Sequence, residues 1–523
     1  MHPKMNALRR ISPLERDYEQ ALQKFDHILG YLDCPEAFTM SHSELERELE
    51  KQGRELMRVL LQDHLDKRSP GHCMQPVQDA DGVERKLTRA QHREIETVFG
   101  TVTVDRVGYG RKGSQSLHPL DAELNLPDER YSLELRRRVA IEAAKSSFDE
   151  TLESIGRTTG GHVPKRQIEE LVKRAAQDFD AFYERRHGTI DTTTDTGSVL
   201  VISVDGKGVT MLKRDLRQQT RKAAEERAHK MGTRLSKGEK KNAKRMACVA
   251  TVYTIEPFVR TPDEVIDHDS STLAKRPRAT PKQKRVWASL EKEPEQVIGD
   301  ALAEARHRDP TGDKIWVALV DGNKPQIRDL RRMAKENQIN LTIVVDIIHV
   351  IEYLWSAGRV FHPESGPELE SWVRHRILEV LRGKASLMAG GMRRSATLRG
   401  LSANVRKPVD ICARYLLTYS PYLCYDRYLN QGLPIASGVI EGACRHLVKD
   451  RMDVTGARWS LSGAEAVLRL RALRSSHDFD EYWLFHEKCE YERTHQVHYA
   501  GGIVPPTAVS FSKRKRAHLK VIK

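Results

Sequence analysis

The sequence predicts an α/β core that is interrupted by a helical insertion and preceded by a mainly helical region with a small β-hairpin. Three observations predict it: apolar runs of strand length, helix-forming stretches between them, and an alternating segment around Gly100. Three of the runs are apolar without alternation: Val199 to Val204, Ile315 to Val320 and Leu341 to Val345. Strands that are covered on both faces require this pattern, so we expect them to form the buried, parallel part of a sheet.

The amino-terminal region begins with a helical pattern. Residues 15 to 66 place apolar side chains at helical spacing among many charges, which predicts two or three amphipathic helices that pack as an arm. Residues 94 to 109 then alternate around Gly100 and predict a short hairpin.

A helix-turn-helix pattern follows the hairpin. From Ser146 the sequence predicts a helix, a turn at Gly160-Gly161 and a second helix opened by Pro164. In a DNA-binding unit the second helix can lie in a major groove, with its amino-terminal end near the bases. The polar residues at that end are Lys165, Arg166 and Gln167. The residues predicted to pack inward are Ile168, Leu171 and Val172. An ordinary helical hairpin has the same pattern, so base contact is one of two interpretations.

Each of the three buried runs is followed by an aspartate: Asp205, Asp321 and Asp346. Pro325 to Asn337 is long enough to form a crossover helix and return the chain for a parallel strand. Because parallel neighbours put their carboxyl ends on one edge, we expect the aspartates to lie at the same edge. Asp205 and Asp321 are each followed by glycine, which starts a turn and lets a substrate backbone approach.

Carboxylates on neighbouring strand ends repel one another unless a cation lies between them. Their hard oxygens select Mg²⁺ or Mn²⁺ rather than zinc. Two such ions about 3.5–4 Å apart can hold the attacking and leaving oxygens of a phosphoryl displacement. Glu441 is a candidate for a third carboxylate. Two alternatives remain open: an Asp-Gly pair is commonly a turn, and Glu441 can form an exposed ion pair with Arg445, four residues on.

The composition favours a polyanionic partner. Lys and Arg number 87 against 73 Asp and Glu, a net charge of +14, although ribosomal, membrane-surface and heparin-binding proteins share such a charge. Residues 213 to 245 form a basic stretch that either contacts phosphates beside the Asp205 strand or is a solvated helix face. A basic arm begins at Ser512. Further cations that could lie against phosphates are Lys207, Arg445 and Lys449.

Other classes are disfavoured. The chain has no apolar stretch of about 18 residues and no secretory leader pattern, so we expect a cytoplasmic protein without a membrane partner. Its seven cysteines are scattered without a CxxC pair, which argues against a disulfide framework or a zinc ribbon and predicts reduced core residues.

The same patterns predict a division into domains. The predicted segments are a helical arm (1–92), a hairpin with the helix-turn-helix (93–190), the first part of the core (195–349), a helical insertion (350–434), the last part of the core (435–480) and a basic tail (481–523).

Several segments together resemble the ISKra family of bacterial insertion-sequence transposases, over roughly residues 95 to 495. They read SVDGKGV, KRMACVATVYTIEPFVRTP, KRVWASLE, WVALVDGN, VVDIIHVIEYLW, RRSAT, KPVDICARYLL, GLPIASGVIEGACRHLVKDRMDVTGARWSL and AEAVLRLRALRSS. The resemblance implies a DDE transposase with a ribonuclease-H-like core, related to Mutator-type enzymes that carry an all-helical insertion before the last acid.

The resemblance also implies roles for single residues. Asp205 resembles the first acid, on the first core strand; Asp321 the second, on the fourth strand; and Glu441 the third, on the helix after the insertion. Asp346 and His349 resemble a Cys-or-Asp-x-x-His motif that follows the second acid in related transposases, and we treat both as accessory site residues.

The implied activity is hydrolysis of a phosphodiester at the element end, followed by attack of the freed 3′-hydroxyl on target DNA. Two Mg²⁺ or Mn²⁺ ions would be held by the three acids. The implied partners are the terminal inverted repeats, the target DNA and further copies of the chain, at the nucleoid. Two alternatives are a DNA-binding regulator that has lost catalysis, and a ribonuclease-H-like nuclease that cuts without joining.

Overall fold

The computed structural model describes residues 17–188, 197–226, 243–266, 279–362, 366–454 and 456–508. The chain divides into two compact units, one of residues 1–178 with 480–523 and one of residues 179–479. Within the described ranges, no helix combines the length and the apolar character that a membrane crossing needs.

The first unit contains a three-stranded sheet and a set of helices. In chain order they are α1 (Glu19–Leu32), α2 (Pro35–Thr39), α3 (His42–Arg68), β1 (Leu87–Thr97), β2 (Gly100–Arg111), β3 (Ser114–Leu117), α4 (Pro119–Glu123), α5 (Leu133–Lys145), α6 (Phe148–Thr158) and α7 (Lys165–Ala175).

The predicted hairpin is confirmed and is larger than expected. β1 and β2 are antiparallel, with Thr97 opposite Gly100 at the turn, and β3 adds a third strand beside β2. One face of the hairpin is buried against α3 and α4. The buried residues of that cluster are Leu65, Ile95, Val102, Val104 and Leu120.

Helices occupy both segments of the predicted helix-turn-helix pattern, as α6 and α7. As predicted, α7 buries Ile168, Leu171 and Val172. The turn between the helices packs closely against the hairpin. The Gly160 amide donates to the Val98 carbonyl at 2.9 Å, and a Cβ on Gly161 would lie 2.7 Å from the Thr97 carbonyl oxygen. Glycine is therefore needed at this turn, because its backbone lies directly against the backbone of the hairpin.

The second unit contains a five-stranded sheet and many helices. In chain order they are α8 (Phe179–His187), β4 (Val199–Thr210), α9 (Gln218–Glu225), β5 (Lys244–Ile255), α10 (Pro262–Ile266), β6 (Lys282–Ser289), α11 (Pro294–Arg308), β7 (Ile315–Val320), α12 (Lys324–Glu336), β8 (Leu341–Val345), α13 (Ile347–Phe361), α14 (Pro367–Leu381), α15 (Ala385–Leu398), α16 (Ala403–Tyr419), α17 (Tyr425–Asn430), α18 (Gly438–Ala443), α19 (Asp450–Met452) and α20 (Leu461–Ser475).

The strands of this sheet are arranged in the order β6-β5-β4-β7-β8. β4, β7 and β8 are parallel to one another, whereas β5 runs antiparallel to both β4 and β6. The three apolar runs predicted as buried strands are confirmed as β4, β7 and β8, and the predicted crossover is α12. In the part of the chain that the structure describes, five α-helices, α13 to α17, separate the last strand from α18. Only part of the basic stretch 213–245 is described: it contains α9, and residues 227–242 lie outside the described residues.

The segment 481–523, predicted as a basic tail, begins with a packed helix instead. α21 (Phe479–Thr494) buries Tyr482 and His486. The Tyr482 hydroxyl donates to the Ala175 carbonyl at 2.7 Å, and His486 Nδ1 lies 2.6 Å from Asp178 Oδ2. The sequence pattern did not reveal this helix because its aromatic residues are spread around all of its faces. The basic segment from Ser512 lies outside the described residues.

Candidate active site

Three aspartates lie at one level across neighbouring strands. The ladder between β4 and β7 pairs Ser203 with Leu319, and Asp205 and Asp321 each come two residues later. The ladder between β7 and β8 ends at Val320 and its partner, directly before Asp321 and Asp346. Since neighbouring strands lie about 4.8 Å apart, this register puts Asp321 between the other two aspartates.

Asp205 differs from its prediction in one respect, because it does not end its strand. β4 continues to Thr210 and stays paired with β5, with Asp205 opposite Val249. Only the pairing with β7 stops before Asp205. The carboxylate is half-buried and accepts a hydrogen bond from the Gly206 amide at 2.6 Å. Gly206 is an exposed residue within β4 rather than part of a turn, and a Cβ on it would lie 3.1 Å from Met246 Cε.

Asp321 begins a turn, as predicted. Gly322 follows it with φ +94°, and the Asn323 amide donates to Asp321 Oδ1 at 2.8 Å. Two tyrosines of α16 hold the same turn. The Tyr415 hydroxyl donates to the Asp321 carbonyl at 3.0 Å, and the Tyr419 hydroxyl donates to the Gly322 carbonyl. Burial raises the pKa of both tyrosines, and the charge of Asp321 adds to this effect. Both hydroxyls therefore stay protonated and able to donate.

A buried glutamine joins the elements that carry the first two acids. Gln326 lies in the first turn of α12, and its side-chain amide donates to the Val204 carbonyl at 2.6 Å. That carbonyl lies one residue before Asp205, beyond the last pair between β4 and β7. Gln326 thus bonds a backbone group that the parallel ladder leaves unpaired, and it ties the start of α12 to β4.

Glu441 lies on α18, which packs against the strand of Asp205. Three residues after Glu441, the Cys444 thiol lies 3.3 Å from Asp205 Oδ2. Residues three apart on a helix share a face, so Glu441 lies about one turn from this contact. The predicted alternative, an ion pair with Arg445, is not formed: Arg445 Nε lies 3.8 Å from Asp450 Oδ1. One reason is that Cys444–Lys449 forms a π-helix, which changes the spacing after Glu441.

Two cysteine thiols lie within the electrostatic influence of Asp205. Burial, and then the charge of Asp205, raise the pKa of Cys444, against a smaller lowering by Lys207. The same two causes, in the same order, raise the pKa of Cys248 to about 12. Both thiols are therefore protonated at neutral pH, and Cys444 can donate to the Asp205 carboxylate. All seven cysteines are free, and these two are among the buried ones.

The side chains of the two accessory residues, Asp346 and His349, contact different parts of the structure. Asp346 is fully buried, and its carboxylate accepts bonds from the amides of Ile348, at 2.8 Å, and Ser437, at 3.0 Å. His349 is half-buried on α13, and its Nδ1 lies 3.5 Å from Glu352 Oε2. The two side chains of the motif therefore contact different partners.

The three predicted acids are not close enough together in this structure to share a metal ion. Among the residues that the structure describes, no three His, Cys, Asp or Glu side chains lie close enough together to hold a metal ion. Asp205 and Asp321 nevertheless offer hard oxygen donors on neighbouring strands. Glu441 is exposed on α18, and Cys444, the residue directly after that helix, contacts Asp205. The chemistry of these donors fits Mg²⁺ or Mn²⁺.

The predicted DNA-contacting residues fall into two groups, one in each unit. Lys165, Arg166 and Gln167 are exposed at the start of α7, where Lys165 Nζ lies 2.7 Å from Asp149 Oδ2. In the second unit, Lys207 comes two residues after Asp205 on β4 and so shares its face of the sheet. Arg445 and Lys449 are exposed on the π-helix.

Comparison with known proteins gives little support for any family. No protein-family model matches the chain, and no curated protein sequence matches it. Among solved structures, the chain has a weak likeness to the Drosophila P element transposase strand transfer complex. The two share 8% sequence identity over 69% of this chain and 83% of that one, with a TM-score of 0.23. A score this low does not show a shared fold.

Proposed function

We propose that this chain is a DDE transposase that hydrolyses a DNA phosphodiester at the ends of an insertion sequence and then joins the freed 3′ end to target DNA. The observation that carries the proposal is the register that puts Asp205 and Asp321 at one level on adjacent parallel strands, with Cys444, the residue directly after the helix of Glu441, in contact with Asp205. The resemblance to ISKra transposases supplies the identity of the reaction.

The order of elements in the second unit supports a ribonuclease-H-like core. Asp205 is on the first strand of the five-stranded sheet, Asp321 directly follows the fourth strand, and Glu441 comes after a run of five helices. These are the positions that the resemblance assigns to the three acids. We assign residues 350–434 to the helical insertion that the resemblance implies before the last acid.

Asp205, Asp321 and Glu441 would hold two Mg²⁺ ions, or Mn²⁺. When bound, these ions activate the attacking oxygen and stabilise the leaving oxygen of an in-line displacement. Lys207, on the same face as Asp205, would neutralise a phosphate of the bound strand. Tyr415 would keep the Asp321 backbone in place. Water and then the DNA 3′-hydroxyl are the nucleophiles, so no side chain of the protein needs to form a covalent intermediate.

DNA binding would use the basic residues of both units, and we propose that several copies of the chain act together on paired ends. A DNA-binding regulator without catalysis is the second candidate, and one observation favours it: the described residues contain no closed set of three metal ligands. A nuclease that cuts without joining is distinguished by its reaction products.

The test uses the full chain, Mg²⁺ or Mn²⁺, and supercoiled plasmid carrying the inverted repeats that flank its gene. We expect nicking, cleavage and strand-transfer products from the unaltered protein. Asp321→Asn should keep DNA binding and lose all three products. Asp313→Asn is the matched control. Asp313 is exposed and precedes the first residue of β7, whereas Asp321 follows its last residue.

DNA binding without nicking by the unaltered protein would favour the regulator. Cleavage without joined products would favour the nuclease. Full activity of Asp321→Asn in Mg²⁺ would contradict the proposed mechanism.

A further inference from the structure

Asp346 is a buried carboxylate whose acceptor positions are largely occupied. Its side chain has no exposed surface, and it follows directly after β8. Oδ1 accepts from the Ile348 amide at 2.8 Å; Oδ2 accepts from the Ser437 amide at 3.0 Å and also from the Ser437 hydroxyl. A carboxylate has about four acceptor positions, so three bonds leave little capacity for a metal ion.

The partner of Asp346 is the residue that begins the helix of the third acid. Ser437 is the N-cap of α18, and its carbonyl accepts a hydrogen bond from the Glu441 amide at 3.2 Å. A second bond joins the same two segments, since the Ile347 amide donates to the Ile435 carbonyl at 3.0 Å. The end of β8 and the start of α18 are thus fixed to each other, although they are 91 residues apart in sequence.

We propose that Asp346 is a positioning residue for Glu441: through Ser437 it sets where α18 begins, and therefore where the third carboxylate stands relative to Asp205 and Asp321. The proposal rests on the proposed function, because it assigns Glu441 a place in the metal site. It assigns Asp346 no contact with metal or DNA. The contact is between two residues of one compact unit.

The chemistry of the contact requires an aspartate. The three groups that hydrogen-bond to the Asp346 carboxylate are all donors, and a carboxylate is the side chain that only accepts. An asparagine has nearly the same shape, but its amide NH₂ would face a donor of Ser437 or Ile348. Asp346→Asn therefore removes the acceptor without opening a cavity. Ser437→Ala is the milder variant, because it removes the hydroxyl and keeps the backbone bond.

The sheet offers a matched control at its opposite end. Asp309 is also buried, precedes β7, and accepts from the amides of Asp313 and Lys314 and from the indole of Trp316. Asp309→Asn breaks a similar set of three bonds far from the carboxyl edge. It should lower the stability of the fold to a similar degree without affecting the acids.

Three measurements on the full chain test the proposal. Amide hydrogen exchange of residues 438–443 should become at least several-fold faster in Asp346→Asn and stay unchanged in Asp309→Asn. Mn²⁺ affinity, followed by electron paramagnetic resonance, should fall about 10- to 100-fold in Asp346→Asn, the range typical of residues that orient metal ligands. In cleavage assays kcat should fall by a similar factor with little change in KM, and Ser437→Thr should retain more activity than Ser437→Ala.

The outcomes separate the two proposals. In the Glu441→Gln background, Asp346→Asn should cause little further loss of Mn²⁺ affinity, since it acts through Glu441; a full additional loss would show that Asp346 binds metal itself and would overturn the inference. Unchanged exchange of α18 in Asp346→Asn would overturn it as well. If exchange rises but the unaltered protein neither binds Mn²⁺ nor cuts DNA, the positioning contact stands and the proposed function fails.

Discussion

The Tyr415 hydroxyl donates a hydrogen bond to the backbone carbonyl of Asp321, with 3.0 Å between the two oxygens. The bond joins α16, in the helical run between β8 and α18, to the turn that carries the second acid. The backbone at Gly322 is closely surrounded, since a Cβ there would lie 2.9 Å from the Tyr415 hydroxyl oxygen. The helical segment therefore contributes directly to the shape of the carboxyl edge.

Removing this hydroxyl should affect activity more than stability. Tyr415→Phe loses one hydrogen bond, so the free energy of unfolding should fall by about 0.5–1.5 kcal/mol, while the turn at Asp321 loses a restraint and the cleavage rate falls. Tyr428→Phe is the control, because its hydroxyl contacts the Ile343 carbonyl at 3.4 Å, three residues before Asp346. Denaturant titration and cleavage rates measure both effects. Equal loss of activity in the two variants would contradict a specific role for Tyr415.

The amino-terminal end of α7 should contribute phosphate contacts. The proposal predicts that the logarithm of the DNA association constant falls linearly with the logarithm of the salt concentration. Lys165→Ala and Arg166→Ala should each reduce the magnitude of this slope by about 1. Lys173→Ala is the control, because Lys173 also pairs with an acid, Glu170, but lies in the last turn of the same helix. Fluorescence anisotropy at several salt concentrations measures the slope. An equal change in all three variants would contradict contact through the start of α7.

Glu304 should make the second unit sensitive to acid. Burial alone would raise its pKa, but Arg285, His187 and Arg308 outweigh burial and hold the pKa well below the ordinary value of 4.5. When folding lowers the pKa of a carboxyl group, the ionised group stabilises the folded state at pH values above the pKa of the unfolded chain. The stabilisation should therefore be present above about pH 4.5 and be lost as the pH falls below it. Denaturant titration of the unit's unfolding between pH 7 and pH 3.5 measures the loss.

Substitution at the same position tests the cause. Glu304→Gln leaves buried guanidinium groups without their carboxylate and should cost about 3–5 kcal/mol at pH 7. Glu336→Gln removes only an exposed pair with Arg332, at 3.1 Å, and should cost less than about 1 kcal/mol. If the acid sensitivity of Glu304→Gln equals that of the unaltered protein, Glu304 is not its source.

The Cys444 thiol should be unreactive in the folded protein. It is buried, and its pKa is raised by burial and by Asp205, so little thiolate is present at pH 8. Mass spectrometry after brief iodoacetamide treatment should find Cys444 alkylated at least about tenfold more slowly than in the urea-denatured chain. Rapid labelling of Cys444 in the folded chain would contradict its contact with Asp205.

The sequence predicted the buried centre of the sheet well but did not predict β6. β4, β7 and β8 are continuous apolar runs, whereas β6 (Lys282–Ser289) begins with charged residues. Within it Arg285 is buried, and it is accommodated because it pairs with Glu304 on α11 and lies over the Tyr183 ring. Glu304 lies 19 residues after Arg285, and Tyr183 lies on α8, before the first strand of the sheet, so no local pattern reveals that β6 is buried.

The place of Asp205 and Asp321 at one edge of the sheet was predictable, but the contacts around them were not. Asp205 and Asp321 follow apolar runs that the eye can find. By contrast, Tyr415 and Ser437 contact the aspartate edge across 94 and 91 residues of sequence, and nothing in their neighbourhoods marks them. Cys444 was predicted only as a reduced core residue. The role of a residue that positions an acid is recognised from the group to which it hydrogen-bonds, and only the folded structure identifies that group.

The most direct test is the location of metal ions in crystals of the protein with a duplex of its element end, soaked with Mn²⁺ and measured for anomalous scattering. The proposal predicts two peaks at the carboxyl edge, one of them shared by Asp205 and Asp321 at about 2.1 Å from their oxygens and one in contact with Glu441. Peaks elsewhere, or none near these carboxylates with DNA bound, would contradict the assignment.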